Sequence, residues 1–375
     1  MKKIFWMVCL FGIVGAAYFI SSSVDIFIPN EKLYVAVEGE GAIAVIDTAK
    51  RKVIRKIDLS VEHDGGTVLF RPHNVQVAPD GQSIWVTANS GTHEGHSFLH
   101  IPEAFAHGEE IGGAKPDEII VINPYTDQIE HRIPVAAGIH LAHVVVDAKG
   151  EYAYVTAQKE GTIYRVRIAD FSIERLATMD LKDEPHGVRL SVDGKIGYVA
   201  MLGSKSIGML DLSSGTLKQV PMGGAAVQTG VTADGKYALV SLYDTKSLGI
   251  YRTSDGGTSS VALPDGARGP VQMYPTPDSK FVYLADQGYY FNQGTHDEVY
   301  KLDIAGGLVI KAIRTGAAPH GVVVSQDGAF VYVTNLLDES VTVIDTSVDE
   351  VVATIQVGKE PNGVSIWSKK LGGTP

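Results

Sequence analysis

Apolar and polar positions alternate along most of this chain in short runs, and the runs recur. Val331-Tyr332-Val333-Thr334-Asn335 is followed by a second alternation, Val341-Thr342-Val343-Ile344-Asp345, and a third from Val351 to Val357. A turn and a Pro-His or Pro-Asn pair then open another short strand. The bulky residue of the first run recurs at Tyr34, Trp85, Tyr154, Tyr198, Leu239, Tyr283 and Tyr332. Period-two alternation in runs this short is the pattern of strands with one buried face. Four such strands at a spacing of about 40–45 residues form the repeat of a propeller blade. The bulky residues of the first run are expected to be core.

The two ends of the chain fit that reading. The first copy begins at Lys32-Leu33-Tyr34, a second strand whose innermost neighbour is missing. The last copy overruns by one strand, Pro361-Asn362-Gly363-Val364-Ser365-Ile366-Trp367. The surplus strand can supply the missing one, and closing the ring removes the free sheet edge. The expectation is an all-β, seven-bladed β-propeller over residues 30–368, closed by pairing the C-terminal strand with the N-terminal blade, with a tail at 369–375. Sandwich domains in series would leave the one-strand offset unexplained. Asp80-Gly81, Lys149-Gly150, Asp193-Gly194, Asp234-Gly235 and Asp327-Gly328 follow the innermost strands. Glycine there supplies the positive φ of a tight hairpin turn.

Composition narrows the partners. A formal charge of -11 argues against nucleic acid, which needs a basic face. The basic stretch Lys50 to Lys56 reads as the exposed outer strand of a blade. Lys2 and Lys3 precede an apolar run from Ile4 to Ile20, and Ser21-Ser22-Ser23 follow, which is the pattern of an export signal. The run is slightly short of the about 20 residues of a membrane span. Residues 1–23 are therefore read as an export signal or a retained membrane anchor. The propeller would then be periplasmic or extracellular, tethered to the inner membrane if the segment is kept. The single cysteine, Cys9, lies in that segment. The remainder of the chain can form neither disulfides nor thiolate–metal bonds.

The histidines carry the candidate chemistry. Of the 12 in the chain, His73, His186 and His320 each follow a proline at the start of an innermost strand. His140 and His143 sit at the corresponding place in another blade, with His143 one residue out of register. Gln228 and Gln272 take that shifted position in two later blades, and Asn362 takes the regular one in the closing strand. The innermost strands start on the face that carries the loops between second and third strands, so these side chains should ring one mouth of the central channel. His93, His96, His100 and His107 lie in a long insertion, Asn89 to Pro116, on the same face, as do His63 and His296; only His131 falls elsewhere. A connection of that length is usually functional.

Neutral imidazole suits copper, zinc, iron or nickel. His73, His143, His186 and His320, with His93, His96 and His100 from the insertion, are therefore candidate metal ligands. Copper or zinc would be the bare ion, and haem is a third choice. A second reading has the Pro-His residues capping a backbone carbonyl of the neighbouring blade, and the insertion serving as a solvated lid. Arg71 and Arg268 precede channel-lining strands and could clamp an anionic group or pair with a loop acid. Arg71, Gln228, Gln272 and Asn362 are candidate cofactor contacts. Tyr289-Tyr290-Phe291 could wall a flat ligand or pack upon itself.

The repeat resembles the YVTN β-propeller family through Tyr332-Val333-Thr334-Asn335, with weaker copies at Val155-Thr156 and Trp85-Val86-Thr87. The resemblance covers residues 30 to 367. It implies the fold and leaves the role open, because the family serves many. More distantly the chain is similar to the propellers of nitrous-oxide reductase and of haem-carrying nitrite reductase, which hold cofactors with histidines at the channel mouth. Gln228, Gln272 and Asn362 stand where a multi-copper ring would need more histidines. Three functions follow as expectations. One is an exported propeller holding a transition metal or metal-bearing cofactor, within a periplasmic redox system. Another is a scaffold docking a protein partner through the inserted loops. The third is a metal-dependent oxidoreductase or hydrolase acting through an activated water.

Overall fold

The computed structural model describes residues 28–63, 66–91 and 115–370. Residues 1–27, which include the segment read as an export signal or anchor, and most of the Asn89 to Pro116 insertion lie outside that range. No helix among the described residues is long and apolar enough to cross a membrane.

Seven four-stranded antiparallel sheets form the ring. Their innermost strands are β6 (Phe70–Val77), β10 (Leu141–Val146), β14 (Pro185–Leu190), β18 (Ala226–Val231), β22 (Pro270–Pro275), β26 (Pro319–Val324) and β30 (Pro361–Ser368). Each packs against the next around the axis, and β30 returns to β6. As the offset at the two ends implies, β30 pairs antiparallel with β1 (Glu31–Val37), completing the first blade. A short hairpin, β4 (Val61–His63) with β5 (Gly66–Val68), rises between the first two blades.

Alternation explains the layers. The recurrent bulky residues Tyr34, Trp85, Tyr154, Tyr198, Leu239, Tyr283 and Tyr332 are all buried between blades. Outermost strands such as β3 (Lys52–Asp58) and β29 (Glu350–Gln356) are mostly exposed. The charges on β3 blunt a free sheet edge. Gly81, Gly150, Gly194, Gly235 and Gly328 all have positive φ, as the hairpin pattern requires, and Ser279 takes that conformation in the sixth blade.

Closure is anchored by buried groups. Trp367 is buried and its indole N–H donates to the carbonyl of Gly81 at 2.8 Å. Lys32 is buried too, and its ammonium reaches Asp127 in the second blade at 2.7 Å.

One irregularity recurs at the channel mouth. Every innermost strand breaks register near its start, so that two residues oppose one on the second strand. Such a bulge turns the extra side chain out of the pleat. In four blades the opposing residue is a hydroxyl: Thr87, Thr156, Ser241 or Thr334. Each accepts the bulge amide of its own blade, from Asn74, His143, Gln228 and Gly321 respectively. Each also donates to a bulge carbonyl of the next blade, at Ala142, His186, Val271 and Asn362. The hydroxyl thus straps neighbouring blades together at the level of the histidines.

Removing a strap should be measurable. Thr334→Val keeps the shape but orphans the Gly321 amide and one partner of the Asn362 carbonyl, at a cost of about 1–3 kcal/mol. Thr334→Ser should retain most of the stability in urea unfolding. Equal midpoints for the valine variant and the parent would show that the strap contributes nothing.

Candidate functional site

The bulges bring three imidazoles from consecutive blades together. His73 of β6, His143 of β10 and His186 of β14 are all buried, and one ligand nitrogen from each lies within 4.8 Å of the other two. Nε2 of His73 is 3.4 Å from Nε2 of His186. The rings meet edge to face, with centroids 5.5 Å apart for His73 and His186 and 5.0 Å for His143 and His186. His140, held at positive φ, adds a fourth ring beside His73, at 5.1 Å.

A second contact fixes the tautomer of His186. Nδ1 of His186 lies 2.8 Å from the carbonyl of Val227 in the next blade, so Nδ1 carries the proton and donates it. Its Nε2 lone pair therefore faces the cluster. Asn362 donates through its amide to Glu38 at 2.6 Å and approaches Nδ1 of His73 at 3.3 Å. Glu38 is buried, with a carboxylate oxygen 3.6 Å from that same Nδ1. Gln228 stands 3.4 Å behind Nδ1 of His143. Nε2 of His143 is buried without a hydrogen-bond partner.

Burial disfavours the charged form of His186, His143 and His140. Burial lowers the pKa of His186 to about 3, and the neighbouring His73 pushes in the same direction. Burial likewise takes His143 and His140 well below the ordinary histidine value. His186 is the next cause for His143, followed by Arg189. Neutral imidazoles expose lone pairs, which is the form that binds metals.

The candidate residues within the described range have distinct places. The cluster contains His143 and does not contain His320, although His320 shares the regular position with His73 and His186. Nδ1 of His320 is 2.9 Å from the amide of Gln287, and its ring packs edge-on to Tyr290. Gln228 and Asn362 stand behind the histidines. Gln272 is buried with its amide nitrogen unpartnered. Arg71 donates to the carbonyl of Glu38 at 3.3 Å, so it braces the loop that carries the carboxylate. The backbone amide of Arg268 donates to the buried Asp286, which also meets Nδ1 of His296 at 3.0 Å. Tyr290 and Phe291 are buried, Phe291 stacking on Tyr243 at 3.4 Å, while Tyr289 is exposed. Tyr290 and Phe291 are thus taken up in packing against His320 and Tyr243. His93, His96, His100 and His107 lie outside the described residues.

Glu38 is the residue that the histidine pattern alone does not find. It lies in the loop between β1 and β2 (Ala42–Asp47), as a one-turn helix Glu38–Glu40. Loops between second and third strands share the face of the Pro-His starts, so an acid there was the available signal.

Comparison with known proteins agrees with this architecture. The model of the YNCE-like β-propeller family matches residues 189–370. No curated protein matches the chain. Among solved structures, hydrazine synthase of Kuenenia stuttgartiensis is similar at 19% identity and a TM-score of 0.66, covering 89% of this chain and 100% of that one. The periplasmic gluconolactonase PpgL of Pseudomonas aeruginosa is similar at 18% identity and a TM-score of 0.65, covering 90% and 99%. Dihydro-heme d1 dehydrogenase NirN, solved with DHE, is similar at 13% identity and a TM-score of 0.58, covering 92% and 76%. Likeness at these identities is likeness of fold. The chain is a seven-bladed β-propeller, and its residues 189–370 carry the YNCE-like β-propeller pattern.

Proposed function

We propose that this protein is an exported propeller that holds one transition-metal ion, copper or zinc, on His73, His143 and His186 inside the channel mouth. The observation that carries the reading is the convergence of three buried imidazole nitrogens within 4.8 Å. Two nitrogen ligands each about 2.0–2.1 Å from a tetrahedral ion stand about 3.4 Å apart. His73 and His186 already have that separation. Fixing the Nδ1 of His186 on a carbonyl, and placing Glu38 and Asn362 behind His73, is how outer contacts orient metal-binding imidazoles. The depth of the trio suits a bare ion better than a macrocycle. An ion held by three imidazoles keeps a fourth position at which it can polarise a water or bind a small ligand. Export is supported by the pattern of residues 2–23, and an oxidising compartment is compatible with a chain whose only cysteine is Cys9.

Elemental analysis tests the ion. The chain, purified without chelator or a metal-binding tag, should carry about one equivalent of copper or zinc, or take up one when the chloride salts are titrated in. His73→Gln, His143→Gln and His186→Gln should each weaken uptake by at least about tenfold, in line with losing one ligand. Glutamine already stands at the position of His143 in two other blades, and Asn362 stands at that of His73 and His186 in the closing strand, so buried amides are accommodated at both levels and these variants should fold. His320→Gln should leave uptake unchanged. A folded protein that takes up neither metal, or triad variants that bind like the parent, would overturn the reading.

The metal-free protein should also show a pH signature. In the folded state His186 has a pKa of about 3, against about 6.5 when unfolded. Between those values the unfolded chain binds more protons, so stability rises with pH. The contribution is complete above about pH 6.5 and is lost as the pH falls toward 3, on the order of a few kcal/mol. His186→Gln should flatten the dependence of the urea midpoint between pH 7.5 and 5. An unchanged slope in that variant would mean that His186 titrates normally.

A further inference from the structure

The opposite end of the channel has a different chemistry. A cavity of about 550 Å³ opens there, lined by the C-terminal ends of the innermost strands. Its level is set by register. The residues opposite the recurrent bulky positions are Gln76, Val145, Arg189, Gly230, Tyr274, Val323 and Ser365, one from each blade. All but Val323 line the cavity.

Arg189 is the only charged side chain in that lining, and no acid accompanies it. This is unexpected on a chain of net charge -11. The guanidinium is half-buried, and it donates one hydrogen bond, at 2.8 Å, to the carbonyl of its own neighbour Val188. Among the described residues no carboxylate pairs with it. Other cations buried in the blades have acidic partners, Lys32 with Asp127, Arg132 with Glu118 and Lys301 with Asp349, while Arg71 on β6 donates to the carbonyl of Glu38. A guanidinium offers five N–H donors in a planar fork, and a partly desolvated one is costly without an anion. Gly230, in the next blade, packs against Met273 and Pro275. Tyr274 and Ser365 bring hydroxyls to the same ring, and Val77, Val146, Val231, Met273 and Ile366 supply apolar walls.

We propose that this chamber binds a small organic carboxylate, with Arg189 as the fork that receives the carboxylate and the apolar walls holding the rest of the molecule. A carboxylate balances the single positive charge one to one, whereas a phosphate dianion would be left with excess charge in a site holding no second cation. Planar pairing of guanidinium with carboxylate supplies two parallel hydrogen bonds. The volume falls within the range of small-molecule sites. The assignment is independent of the metal site at the other mouth.

The test is calorimetric titration of the full chain with benzoate, phenyl phosphate and benzylamine at low salt. Benzoate should bind at micromolar to millimolar concentration, more tightly than phenyl phosphate, and benzylamine should not bind. Arg189→Gln should lose at least about tenfold in benzoate affinity, and Arg189→Lys should retain part of it, since a point charge cannot make the bidentate contact. Thermal unfolding of both variants confirms the ring. Absence of benzoate binding, benzoate binding that is unchanged in a folded Arg189→Gln or equalled by benzylamine, or tighter binding of phenyl phosphate would each overturn the assignment. Unaltered metal content in the same variant would show that the two sites stand or fall separately.

Discussion

The bulge at the start of each innermost strand governs what this ring can do. A regular strand would send alternate side chains into the two faces of the blade. The bulge places two residues against one and turns side chains into the channel. The strap hydroxyl holds that irregular backbone in place, because it satisfies an amide in one blade and a carbonyl in the next. Backbone groups buried without partners would be costly, so the strap makes the distorted geometry stable. Thr156 illustrates the coupling: one oxygen fixes the backbone of both His143 and His186. Two members of the histidine cluster are thereby positioned by the same atom.

Much of this was legible in the sequence because it depends on periodicity. Tyr34 and Trp367 mark the two ends of a broken repeat, and the pairing of β30 with β1 follows from that offset. The one-residue displacement of His143 was also legible, and so was the equivalence of Gln228 and Gln272. Its consequence was not. His73, His186 and His320 share a position, and position alone suggests a symmetrical trio around the axis. Proximity instead favours consecutive blades, so His143 joins His73 and His186, and His320 is engaged by Gln287. Which side chains meet depends on channel width and on what fills the remaining blades. Periodicity does not encode either. Glu38 was missed for a related reason: its role comes from a loop that folds over a different blade's strand.

The charge distribution separates the two ends of the channel. At the upper mouth, buried imidazoles sit beside Glu38, and desolvation and neighbouring rings keep His143 and His186 neutral. At the lower mouth a single guanidinium stands among apolar and hydroxyl groups. Arg189 is three residues beyond His186 on the same strand, and its charge is among those that hold His143 neutral. A positive group beneath the cluster disfavours protonation there as burial does. It also favours an anion over a second cation in the space between.

Imidazole resolves the competition between a structural and a functional role for the Pro-His residues, because it has two nitrogens. His186 caps the neighbouring blade through Nδ1, donating to the carbonyl of Val227. A glutamine or asparagine amide could also donate to such a carbonyl. What they lack is a second donor atom directed inward once the first is occupied. Nε2 of His186 has that direction, and it meets Nε2 of His73 at 3.4 Å. The structural bond therefore orients the second nitrogen: by fixing the proton on Nδ1 it ensures that the inward nitrogen presents a lone pair. Under the proposed reading, stability of the ring and readiness of the site rest on the same hydrogen bond. The two roles of the histidines are complementary.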